Sequence, residues 1–102
     1  MGIRMMGFAI AREADTARVV LEGKPGREAL HACAADLARE IGSGVRHLEF
    51  DLTALRGLDA SVAALMVKAA ATVRKSAGSI RVRASQAGAE AALRLLGLGA
   101  GG

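Results

Sequence analysis

Tryptophan and tyrosine are missing from this chain and phenylalanine occurs only twice, so its core has to be built from aliphatic side chains and alanine. The same lack disfavours any site that stacks bases or sugars on aromatic rings. Cysteine occurs once, which excludes a disulfide framework. Cys33 lies on the apolar stripe of an expected helix, where a buried structural thiol is a better reading than a nucleophile or redox centre. His31 and His47 lack cysteine or acidic partners at metal-ligand spacing, so no metal is expected. No apolar run approaches the length of a membrane span, and residues 1–10 lack the long apolar core of a secretion signal. A cytoplasmic protein with no direct membrane insertion is expected. No Ser-His-Asp or Cys-His arrangement, acid–base carboxylate pair or phosphate-cradling glycine loop is visible, so neither catalytic residues nor cofactors are expected. The glycine-rich stretch 97–102 follows the last expected helix and reads as a flexible terminus.

The net charge of +4 does not point to nucleic acid. The arginines, from Arg18 to Arg94, are spread over every expected element with acids interleaved, whereas a nucleic-acid binder gathers them on one face. At 102 residues with no linker or repeat, the chain is expected to form one domain over 1–102.

Apolar segments 7–11 and 17–22 flank a polar turn, Arg12 to Thr16, suited to a hairpin. In the second, Val19 and Leu21 face one way and Arg18, Val20 and Glu22 the other. The single proline lies in Gly23-Lys24-Pro25-Gly26, which breaks that strand. From Arg27 to Ile41, Leu30, Cys33, Ala34, Leu37 and Ile41 repeat at helical spacing until Gly42-Ser43-Gly44 ends the run. The next strand sets Leu48, Phe50 and Leu52 against His47, Glu49 and Asp51. A helix over 60–77 leads to the strand 79–84, with Ile80 and Val82 inward and Arg81 and Arg83 outward, where opposite charges could meet across the polar face. A short helix, about Ala87 to Leu96, comes last. The order β-β-α-β-α-β-α predicts a two-layer α/β domain, a mixed four-stranded sheet with helices on one face and a right-handed parallel crossover from His47 to Ala84.

The stretch Leu48 to Gly78 is the most informative. Asp59 stands where a helix cap belongs, able to accept from the first free backbone N–H groups. In the helix behind it, Val62, Leu65, Met66, Ala69, Ala70 and Val73 form a core stripe. The opposite side carries Ala60, Ala63, Ala64, Val67 and Ala71, then Arg74 and Lys75. A one-sided helix would put charge there. Alanine is also a good surface helix former with no message. The functional reading is a smooth face on which another protein docks.

Three segments together, Val19-Val20-Leu21-Glu22-Gly23, Leu48-Glu49-Phe50-Asp51-Leu52-Thr53-Ala54-Leu55 and Leu93-Arg94-Leu95-Leu96-Gly97-Leu98, resemble the STAS domains. These include bacterial anti-sigma-factor antagonists and the cytoplasmic tails of sulfate transporters. The most specific part, Leu58-Asp59-Ala60-Ser61-Val62-Ala63-Ala64-Leu65, is similar to the family's Asp-Ser-Ser-Gly-Leu loop and helix start. The resemblance implies a STAS fold and a non-catalytic interaction module that regulates transcription through a protein partner, an anti-sigma factor of serine-kinase type. Its docking residues would be Asp59, Ala60, Ser61, Ala63, Ala64, Val67 and Ala71. In the antagonists the partner kinase phosphorylates the hydroxyl residue directly after the aspartate, adding a nearly divalent anion that breaks the complex. Here that position is Ala60, which cannot accept phosphate. Ser61, about 100° around the helix, is the nearest candidate for phosphorylation, and a serine satisfying first-turn N–H groups is the favoured reading of it. Val62 stands in place of the family glycine. The alternative is an accessory STAS subunit of a Mla-type lipid ABC transporter, partnered by its ATPase or permease. After Leu98 only Gly99-Ala100-Gly101-Gly102 remain, too short for the further helix that antagonists usually carry. The sequence leaves a homodimer open.

Overall fold

The computed structural model describes residues 3–5, 7–85 and 94. Its elements are β1 (Ile3–Met5), β2 (Phe8–Glu13), β3 (Thr16–Gly23), α1 (Arg27–Gly42), β4 (His47–Leu55), α2 (Ala60–Arg74) and β5 (Ser79–Arg83). The strands form one mixed sheet in the order β1-β2-β3-β4-β5. Pairs β1–β2 and β2–β3 are antiparallel, and β3–β4 and β4–β5 are parallel. Both helices pack on the same sheet face, so the molecule has the two-layer α/β architecture expected of it. The four expected strands are β2 to β5. The three-residue β1, too short for periodicity to mark, extends the antiparallel edge. Of the expected helix over 87–96 only Arg94, in helical conformation, lies among the described residues.

Alternation decides which face is dry. Phe8 pairs with Leu21, Ile10 with Val19, Val19 with Phe50 and Phe50 with Val82, and all of these are buried except the half-buried Val82. From α1, Leu30, Cys33 and Leu37 are buried against this face, with Ala34 and Ile41 half-buried beside them. From α2, all six residues of the expected core stripe are buried. Each large aliphatic side chain removed from water in this way contributes about 1.5–3 kcal/mol. The other sheet face is polar. Arg18 Nε donates to Glu49 Oε1 at 2.8 Å, Glu49 lies opposite Arg81, and Asp51 lies opposite Arg83. The charges meet across the strands as their alternation requires.

Two side-chain devices shape the chain around this core. Arg12, at the end of β2, donates to Ser43 Oγ at 2.6 Å, Glu40 Oε1 at 3.2 Å and the Ser43 carbonyl at 3.2 Å, tying the hairpin to the C-terminal end of α1. A cation there also suits the negative end of the helix dipole. In β4 the register against β3 slips, with Val20 opposite Asp51 but Glu22 opposite Ala54. The slack is taken up beside Asp51, whose Oδ1 accepts from Thr53 N at 3.0 Å and Thr53 Oγ1 at 2.6 Å. A bulge of this kind bends the strand and re-aims the chain beyond it. Here that chain is the loop 56–59, which delivers α2.

The end of α2 departs from expectation. The helix stops at Arg74 rather than continuing to Ala77. Gly78 N donates to the Val73 carbonyl at 2.8 Å and Ala77 N to the Arg74 carbonyl at 3.1 Å, the bond pair of a Schellman close. The left-handed residue of that close is Ala77, at φ 58°. Gly78 serves another purpose: a Cβ there would overlap the Arg46 carbonyl oxygen, to which Ser79 N donates at 3.0 Å.

Candidate functional site

The candidate face begins where β4 hands the chain to α2. Asp59 is in extended backbone conformation (φ −92°, ψ 176°) and its Oδ1 accepts from Val62 N at 3.0 Å. Its carbonyl accepts the first intrahelical bond, from Ala63 N at 3.0 Å. Asp59 is therefore the cap that its sequence position implies. The N–H groups of Ala60 and Ser61 stand in the first turn, where no helix offers its own acceptors. Lys24, Pro25, Arg56, Gly57 and Leu58 surround this end and enclose, with Asp59 and Val62, a depression of about 250 Å³. Lys24 and Arg56 are exposed.

Along α2 the expected docking residues separate. Ala60, Ala64 and Ala71 are exposed and Ala63 is half-buried. Val67 is 43% exposed, the one large apolar side chain so exposed among the described residues. Ser61 is exposed but turns to the flank, where it lines a groove with Arg27 and Leu30 of α1 and Lys68 of α2. It does not share the outward direction of Ala63 and Val67. The helix carries no acidic residue after its cap; its charges are Lys68 and, in the last turn, Arg74. The row of Ala60, Ala63, Ala64, Val67 and Ala71 is thus uncharged, with the exposed Lys68 beside it.

Beyond these residues, sequence reasoning treated Asp51 only as an outward polar position. Its bonds from the Thr53 hydroxyl and then the Thr53 N–H hold its carboxyl below the usual aspartate range, with the charges of Arg83 and Arg18 adding to the effect against a desolvation cost. The Asp-x-Thr spacing, which lets a side chain bind backbone two residues on, was the available signal. Cys33 is fully buried, and burial pushes its thiol up to about 12. This is the inert thiol that its place on the apolar stripe implies, remote in character from a nucleophile.

No protein-family model matches the sequence, and no curated protein does. Solved structures resemble it closely in shape. The anti-sigma factor antagonist SpoIIAA in its unphosphorylated form superposes with a TM-score of 0.75 at 19% identity, covering 90% of this chain and 82% of that one. The Bacillus cell fate determinant SpoIIAA in the phosphorylated form gives 0.76 at 17% identity, covering 89% and 84%. Mglu gives 0.62 at 17% identity over 76% of this chain but only 19% of its own much longer one. At these identities the likeness establishes the fold, and that fold is the STAS fold.

Proposed function

We propose that this STAS-fold chain is a non-catalytic regulatory module of the anti-sigma-factor-antagonist type, docking a protein partner on the outer face of α2. The observation that carries this reading is the uncharged row of exposed Ala60, Ala64, Val67 and Ala71 with half-buried Ala63 behind a capped helix start. A solvated face has no need to stay free of charge over this length, whereas a face that another surface covers does, because a buried unpaired charge is costly. Asp59 shapes the loop that presents the row. Ala60, directly after the cap, has no hydroxyl, so binding is governed by the partner or is constitutive rather than switched by phosphate at that position. Ser61 faces the flank and acts in the first turn of the helix.

The test uses the tagged full chain purified from its native cells, with captured proteins identified by mass spectrometry. An anti-sigma factor of serine-kinase type supports this reading. A transporter ATPase or permease would instead favour the lipid-transport alternative, and capture of neither would defeat both. Ala63→Asp and Val67→Asp should each weaken capture on the order of 100-fold, the scale of an unpaired carboxylate desolvated at a contact. Their circular dichroism melts should stay near that of the parent. Retained capture in both variants would remove the face from consideration. Phosphate found on Ser61 after incubation with the captured kinase and ATP would restore a phosphorylation switch.

A further inference from the structure

A second surface lies beside the first, in the groove between the two helices. α1 and α2 each connect parallel strands of one sheet, so they run in the same direction and leave a continuous furrow on the side away from the sheet. Two adjoining hollows, of about 280 and 320 Å³, make up this furrow and share His31, Ala34, Leu65 and Lys68. Its floor is apolar, formed by Ala34, Ala38 and Ile41 from α1 and Leu65 and Ala69 from α2. Alanines along both walls allow a third backbone to approach closely.

The rim of the furrow is basic. Arg27 and His31 stand on the α1 wall and Lys68 on the α2 wall. Neither Arg27 nor Lys68 is ion-paired with a carboxylate among the described residues. The acids of α1 are engaged elsewhere or point away: Glu40 pairs with Arg12, Asp36 with Arg39, and Glu28 does not line the furrow. An apolar floor between two unneutralised cations, Arg27 on one wall and Lys68 on the other, calls for an occupant that is apolar on one side and acidic on both margins.

We propose that the furrow receives an amphipathic helix of a partner protein, with carboxylates along its edges. From Ser61 to Thr72 the furrow spans eleven residue steps of α2, roughly 16 Å at the rise of an α-helix, which suits about three turns of a bound helix. A single lipid chain brings one anionic head, whereas the two cations here stand on opposite walls. A second copy seated furrow to furrow would face Arg27 and Lys68 with their own like charges. The two surfaces meet at Ala64, which lines the furrow, but this one does not depend on docking at Ala63 and Val67, and Val67→Asp should leave it intact.

The probe is a synthetic helical peptide of about 14 residues with leucines at i, i+4, i+7 and i+11 and glutamates on both flanks, together with a twin carrying lysine at every glutamate. Anisotropy of the labelled peptides should show the glutamate form binding the full chain about tenfold or more tightly than its twin. Amide shifts should centre on Ala34, Ala38, Leu65 and Ala69. The R27E/K68E double variant, altered only at exposed positions, should reverse the preference, and Ala38→Arg should weaken both peptides by filling the furrow. Should the double variant fold poorly, K68Q alone should narrow the preference between the twins. Equal affinity of the two peptides, an unreversed preference in R27E/K68E, or shifts centred on Ala63 and Val67 would each overturn the proposal. So would phosphatidylglycerol vesicles that outcompete the glutamate peptide, or a dimer of the unliganded chain that R27E/K68E dissolves.

Discussion

Cys33 illustrates how far one residue's environment reaches. In the unfolded chain a thiol ionises near pH ~8.5, while in the fold burial holds it protonated up to about 12. A group whose folded pKa is raised contributes stability fully below its unfolded value and loses that contribution as pH rises towards the folded one. Urea unfolding at pH 7 and pH 10 should therefore show the advantage of the parent over Cys33→Ala shrinking by roughly 1–2 kcal/mol at the higher pH. Thiol reagents should label Cys33 only on unfolding. An undiminished advantage, or rapid labelling of the native protein, would contradict this account. Asp51 shows the opposite sign. Its folded value is lowered, so its contribution is present above the unfolded aspartate value of ~3.9 and disappears as pH falls through the folded one. Thr53→Val removes the hydroxyl bond and should move the Asp51 carboxyl titration, monitored by carbon NMR, up towards the ordinary range. An unmoved titration would assign the shift to the remaining Thr53 N–H bond and the neighbouring arginines instead.

At the scale of the element, α2 does two things with one periodicity. The stripe containing Val62, Met66 and Val73 anchors it, and the opposite stripe stays uncharged and exposed. Its close divides labour between two neighbours that composition alone does not separate. Ala77 occupies the left-handed conformation, where a Cβ costs about 1–2 kcal/mol, and Gly78 permits the approach to the Arg46 carbonyl. Ala77→Gly should thus stabilise the protein by about 0.5 kcal/mol once the greater freedom of unfolded glycine is set against the relief. Gly78→Ala should destabilise by about 1–3 kcal/mol, because backbone at Arg46 and Val73 must move. Thermal melts of the pair check this; a Gly78→Ala variant as stable as the parent would mean that the β4 entry is free to shift. Asp59 opens the same helix, and its bond to Val62 N explains why the start of α2, unlike its end, falls where the residues suggest.

For the whole molecule, the sheet order places β2, β3 and β4 inside and β1 and β5 at the margins of the described sheet. Central strands lose their hydrogen bonds only when neighbours on both sides open. Native-state hydrogen exchange should accordingly find the slowest amides at Val19, Leu21, Leu48 and Phe50, with those of β5 exchanging sooner. Equal protection of β5 and β4 would show that the parallel β4–β5 pair opens only with the entire sheet. The polar sheet face adds little to this stability, since the Arg18–Glu49 pair is partly exposed and exposed pairs contribute about 0–1 kcal/mol. Its value is in keeping one sheet face wet while the helices cover the other.

Much of this organisation was legible from residues alone. Val19 and Leu21, Leu48 and Phe50, and the six buried positions of α2 follow from alternation and helical repeat, and the Asp59 cap follows from its place before an apolar run. The slipped register at Asp51, the true end of α2 and the furrow lined by Ala34 and Leu65 were not legible. Each depends on segments far apart in the chain: β3 against β4, Gly78 against Arg46, α1 against α2. Thus the order of amino acids by itself determined which side of each element is dry and where α2 begins, because those properties arise from side chains within a few positions of one another. Only the tertiary structure decided which wet surfaces lie together and how closely two backbones pass, because the parallel crossovers bring those groups into contact.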